Sequence, residues 1–177
     1  MAVEISCIVM QSVRGTRSHF NFESTFDSTV FGIMGVFVGL NTVLIALMLL
    51  LYLLQRPEFP SPYLWGIRLG LVIFLLASLQ GVAIVMNNAH AVGVPDGGDG
   101  LPFVNWSTEG GDLRIAHFVG LHALQAVPLF GWLLTRLAPS SRPGMLTGSV
   151  FLFAIVYGGV GCALYLQAVA GRPLLVL

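Results

Sequence analysis

The chain has 177 residues, of which 56% are hydrophobic and only 9% charged, and its formal net charge is zero. A mean hydropathy of +0.87 lies far from the composition of a water-soluble domain and specifies an integral membrane protein. The absence of any lysine removes the basic face that nucleic acid requires, and Cys7 and Cys162, at opposite ends of the chain, support neither a disulfide framework nor a zinc ribbon.

Residues 1–28 read as a polar N-terminal tail. Arg14 and Arg17 follow the mildly apolar stretch 5–10 instead of preceding a long apolar core, which is not the order of a secretory signal, and Met10 is an alternative start. A transmembrane domain is expected over 29–171. A span needs ~20 mainly apolar residues to cover ~30 Å of hydrocarbon, and four segments meet that length: 29–54, 62–90, 113–137 and 143–170. Asp27 or Ser28 is the expected cap of the first, and Gln55-Arg56-Pro57 closes it. Ser61-Pro62 opens the second, which ends before Gly93. Asp112 caps the third, which stops at Pro139, and the fourth stops at Gly171, leaving 172–177 as a C-terminal tail. The expected fold is therefore all-α, a polytopic antiparallel four-transmembrane-helix bundle with short connections.

Positive residues near span ends are retained on the cytoplasmic side. Arg56 and Arg68 flank the first connection, and Arg136 and Arg142 the third. The connection 91–111 holds Asp96, Asp99 and Glu109 and no positive residue, so it and both termini are expected outside, although Arg14, Arg17 and Arg172 then fall on that side too. Small residues spaced by four allow helices to approach closely in lipid, and such pairs stand at Gly35 with Gly39, Gly66 with Gly70, Gly144 with Gly148 and Gly158 with Cys162.

The connection VGVPDGGDGLPFVNWSTEGG is rich in glycine and proline and is expected to fold by turn chemistry, as a lid. Asp96 and Asp99 in DGGDG fall short of the ligand count of a calcium loop. Trp106 reads as an interfacial anchor.

The third span, DLRIAHFVGLHALQAVP, carries the candidate site. At 100° per residue from Asp112, Arg114, His117, His122 and Gln125 fall at about 200°, 140°, 280° and 220°, one polar arc. Gly120 and Ala123 lie on a different, small-residue face. An ionisable group in hydrocarbon costs ~2.5–3.5 kcal/mol and survives where it faces the interior of a bundle, water or a cofactor. Gln80, Asn87, Asn88 and His90 end the second span beside it, so an outward-opening pocket of His90, Arg114, His117, His122 and Gln125 is expected, against the plainer reading of polar contacts between helices.

The block NWSTEGGDLRIAHFVGLHALQAVP, preceded by NNAHAVGVPDGGDGLP, resembles a family of small, uncharacterised bacterial four-helix integral membrane proteins. The resemblance covers residues 87–128 and implies a bacterial inner-membrane location and a shared outer-side site; it carries over no catalytic residue. On the residues alone the leading expectation is a non-catalytic accessory subunit of a larger membrane complex, or a lipid- or quinone-binding protein. The alternative is a membrane redox protein holding haem b between His90 and His117 or His122. A metal or enzyme site at Asp112, His117 and His122 needs a third ligand between two imidazoles about 140° apart.

Overall fold

The computed structural model describes residues 2–55 and 57–175. Arg56, counted above among the inner positive charges, and the last two residues of the C-terminal tail lie outside them. The regular elements of the described chain are five helices and one short ladder: α1 (Ala2–Val13), α2 (Thr25–Leu54), α3 (Ser61–Asn87), β1 (Ala91–Val92), β2 (Gly111–Asp112), α4 (Leu113–Leu137) and α5 (Pro143–Val169). Four of these helices, α2 to α5, are long and apolar enough to cross a membrane. Residues up to Met48 and residues from Leu49 onward form two separate compact units.

The first unit corrects the expected tail. Residues 2–13 are helical, and the cap of α2 is Ser24, not Asp27 or Ser28. The Asp27 amide donates to Ser24 Oγ at 3.1 Å, a side-chain N-cap, while the Ser24 hydroxyl donates to the Asp27 carboxylate. The cap lies three residues ahead of the acidic group, so α2 starts one turn earlier than the apolar pattern alone suggests.

In the second unit α3, α4 and α5 pack on one another. Glycine makes the α3–α4 seam close. A Cβ on Gly66 would lie 2.9 Å from the Val127 carbonyl, one on Gly70 would lie 2.7 Å from that of Ala123, and one on Gly120 would overlap the Ala77 methyl group. The expected contact role of Gly66, Gly70, Gly120 and Ala123 is what the backbone shows. By contrast Gly35, Gly39, Gly144 and Gly148 have open space around them, and Gly158 makes only ordinary contact with Ile73. Pro128 lies inside the continuous α4, and its ring occupies the room left by Gly70, which a side chain there would meet at 3.1 Å.

Ala123, Val127, Val150 and Ala154 form the buried centre, with Phe130 stacked on Phe153 at 4.3 Å. The Tyr157 hydroxyl donates to the Val119 carbonyl at 2.7 Å and ties α5 to α4. At the far end Arg68 donates from Nε and Nη2 to the carbonyl of Tyr52 at 2.9 and 2.6 Å, supplying a cation and two donors to the last turn of α2. The connection between α3 and α4 is more regular than turn chemistry alone predicts. Ala91 pairs with Asp112 and Val92 with Gly111 in an antiparallel ladder, and Gly100 bridges Ser107.

Candidate functional site

Two carboxylates build the end of the second unit from which α4 starts. Asp112 is buried and caps α4, its Oδ1 accepting from the Arg114 amide at 3.0 Å. The same carboxylate accepts from Arg114 Nε at 2.9 Å, Arg114 Nη2 at 2.6 Å and the Ser107 amide at 2.9 Å. Arg114 Nη2 also reaches the Asn105 carbonyl at 2.6 Å. A carboxylate removed from water needs this many donors, and the forked guanidinium supplies two of them in one plane. Glycine at 111 lets β2 run against the backbone of Ala168 in α5, where a Cβ has no space.

Asp96 performs the second closure. It accepts from the amides of His90, at 3.0 and 2.9 Å, and Ala91, at 2.7 Å, and its Oδ2 lies 3.0 Å from His90 Nδ1. Partial burial pushes the Asp96 carboxyl up, but the two backbone N–H groups and the His90 ring outweigh it and hold the group below the usual carboxylate range. Asn87 donates to the carbonyls of Ala89 and Ala91, both at 3.0 Å, and so holds the loop. Asp99 takes part through its carbonyl, which accepts from the Thr108 amide and hydroxyl. Neither Asp96 nor Asp99 was legible as a loop closure in the sequence.

The five expected pocket residues do not converge on one cavity. His90 belongs to the Asp96 closure and Arg114 to the Asp112 closure. His117 lies in the α3–α4 seam, its Nδ1 2.9 Å from the Ala77 carbonyl and its ring beside Gly81, where a Cβ would stand 3.2 Å from Cε1. His122 and Gln125 are exposed on the outside of the unit. The His122 Nδ1 is 2.8 Å from the Phe118 carbonyl, and its ring lies 4.0 Å from that of Phe118, which in turn meets Trp106 edge-on at 5.7 Å. The periodicity accounts for this dispersal. The buried face of α4 is centred near Gly120, Ala123 and Val127, and His117, His122 and Gln125 lie about 90°, 130° and 170° from that centre. The polar arc is too wide for one seam and ends on the back of the helix.

In the haem reading His90 would ligate together with His117 or His122; in the fold the His90 Nδ1 lies 3.0 Å from Asp96 Oδ2, the His117 Nδ1 2.9 Å from the Ala77 carbonyl and the His122 Nδ1 2.8 Å from the Phe118 carbonyl, so each ring has a different neighbour. A groove too narrow to admit a water molecule runs at this end of the unit, lined by Asp112, Ile115, Gln167 and Arg172 among others, and none of the histidines borders it. Gln80, expected to pair with the polar stripe, instead buries its Oε1 with no hydrogen-bond partner.

Fold and site together define an all-helical protein with four helices of membrane-crossing length and a polar face on α4. Compared with protein-family models, curated proteins and solved structures, the chain matches none.

Proposed function

We propose that this is a multi-pass membrane protein whose four long helices cross the bilayer in alternating directions, as the antiparallel four-helix bundle expected from the sequence requires, and that it serves as a non-catalytic accessory subunit. A bacterial inner membrane, with the 91–111 connection outside, is the setting that the charge pattern and the resemblance to small bacterial membrane proteins support. The observation that carries the reading is the exposure of His122 and Gln125 on an apolar helix. At 1.5 Å per residue from Leu113 they lie about 14 and 18 Å along α4, close to the middle of a ~30 Å hydrocarbon layer. Polar groups at that depth are rarely left against acyl chains, and they hydrogen-bond across helix contacts. The back of α4 is thus a docking face for a partner helix.

The test is photo-crosslinking in native membranes from a reactive residue at Leu129, one turn from Gln125 on the same face, against one at Ile155 on α5. Both positions are exposed. A discrete protein adduct from 129 and lipid adducts alone from 155 are expected; lipid adducts alone from both positions would end the reading.

One observation favours a second occupant of the same face. Because a carbonyl only accepts, the His122 Nδ1 donates to Phe118, and in a neutral ring Nε2 is then an acceptor one turn from the Gln125 amide. An acceptor and a donor so placed suit the hydroxyl and carbonyl oxygens of a quinol or quinone head. Mass spectrometry of gently purified protein, with loss of bound quinone on His122→Leu, would identify this occupant.

A further inference from the structure

We infer that α1 is an interfacial helix that lies on the bilayer surface at the entry of α2 and docks its apolar face into lipid. The inference rests on α2 crossing the membrane and not on what α4 binds.

One side of α1 is tied to the start of α2. Gln11, completely buried, donates from Nε2 to Asp27 Oδ1 at 3.0 Å. Arg14 donates to the same carboxylate oxygen at 2.6 Å and also to Gln11 Oε1, and its guanidinium sits 4.6 Å above the Phe26 ring. Thr16 closes the turn by donating its amide to the Gln11 carbonyl at 3.1 Å. Since Asp27 stands in the first turn of α2, this polar knot fixes the end of α1 at the level where α2 begins.

The other side of α1 is left uncovered. At 100° per residue Glu4 and Gln11 lie within about 20° of each other, whereas Val9 lies about 160° from Gln11 on the opposite side. Ile5, Val9 and Val13 follow one another at four-residue spacing and are 56%, 56% and 84% exposed. Further round the helix Ala2, Val3, Ser6, Cys7 and Met10 border an open, mainly apolar depression. In water a helix of twelve residues is at best marginally stable, and burial of an apolar face supplies most of what makes such helices persist. Acyl chains supply that burial here, because the knot at Asp27 sets the apolar face beside a membrane-crossing helix. The segment that follows is built for the same boundary. Phe20 and Phe22 both meet Phe31 edge-on, at 5.5 and 5.6 Å, and Phe22 and Phe26 are exposed. Aromatic rings and arginine beside an amphipathic helix are the composition of an interfacial anchor.

The experiment uses the full chain, with Cys7→Ser and Cys162→Ser, reconstituted in phosphatidylcholine vesicles. A single environment-sensitive fluorophore is attached to cysteine introduced by Val9→Cys, by Glu4→Cys or by Leu44→Cys in the middle of α2. Val9 should be quenched by lipids carrying a nitroxide near the headgroup, and be at least about threefold less accessible to aqueous iodide than Glu4, as insertion by about 5–10 Å implies. Leu44 should be quenched by a nitroxide deep in the acyl chain. Equal iodide access at Val9 and Glu4 with Leu44 deep would overturn the inference and leave the membrane-spanning reading intact. Shielding of Val9 from iodide without lipid quenching would also overturn it, by showing that protein covers the face. A water-accessible Leu44 would remove both the span and the inference built on it.

Discussion

Asp112 and Arg114, two residues apart, are joined through both carboxylate oxygens, Nε meeting Oδ1 at 2.9 Å and Nη2 meeting Oδ2 at 2.6 Å. The pair turns the most distinctive stretch of the sequence, NWSTEGGDLR, into a closure: it starts α4, holds Ser107 and Asn105, and sets β2 against α5. Replacing Asp112 by Ala removes a helix cap and leaves the guanidinium and the Ser107 amide without their acceptor. A loss of about 2–3 kcal/mol is expected in detergent unfolding. Arg114→Lys keeps the charge but not the fork and should cost about 1 kcal/mol. Equal stability of Asp112→Ala and the wild type would show that the closure does not hold the fold.

Glycines that look alike in the sequence should differ sharply. At Gly70 an added methyl meets the Ala123 carbonyl at 2.7 Å and the Pro128 ring at 3.1 Å, whereas at Gly148 nothing stands within 4 Å. Gly70→Ala must push α3 from α4 and should destabilise by about 1–3 kcal/mol. Gly148→Ala gains helix propensity and should be neutral or stabilising by up to about 1 kcal/mol. Thermal unfolding of the two variants side by side checks the assignment of the seam.

The loop closure at Asp96 should fail in acid. The carboxyl is held below its ordinary value in the folded chain, so its contribution is fully present above the pH range in which a free aspartate titrates, near 3.9. That contribution is lost as pH falls through the lowered folded value. The protection of the Ala91 amide against hydrogen exchange, taken relative to the intrinsic rate at each pH, should therefore be high at neutral pH and fall selectively in the acid range. Asp96→Asn should exchange faster at neutral pH and show a flatter dependence.

Gln80 carries the opposite expectation. Its Oε1 is buried without a donor, a situation that costs about 1–3 kcal/mol per group. Gln80→Leu should raise the unfolding temperature. A lowered temperature would show that the amide is engaged by a group other than the chain itself.

Much of the frame could be read from local chemistry. Pro62, Pro143, Asp112 and Gly171 mark helix ends because each acts within a turn of itself, and the observed ends fall where they stand. Gly66, Gly70, Gly120 and Ala123 were legible as contact positions because close helix approach requires small side chains. The N-terminal helix was not legible, since serines interrupt its apolar pattern and its one fixed point, Gln11, depends on Asp27 sixteen residues later. Nor could periodicity show where the polar arc of α4 faces. It places His117, His122 and Gln125 on one side, but the position of the seam is set by the glycines of α3, which leaves His117 at its edge and Gln125 behind it. Arg114 departs from the arc because a buried carboxylate two residues away binds it more strongly than any pocket.

The docking face is tested most directly by the mass of the assembly released from native membranes into lipid nanodiscs, for the wild type and for His122→Leu combined with Gln125→Leu. The chain itself is 19.0 kDa. The account predicts a wild-type particle heavier than a single chain, and a double variant that keeps its helical content and unfolding temperature yet appears at the mass of one chain. A wild type that is already a single chain, or a double variant that keeps the full assembly, would contradict it.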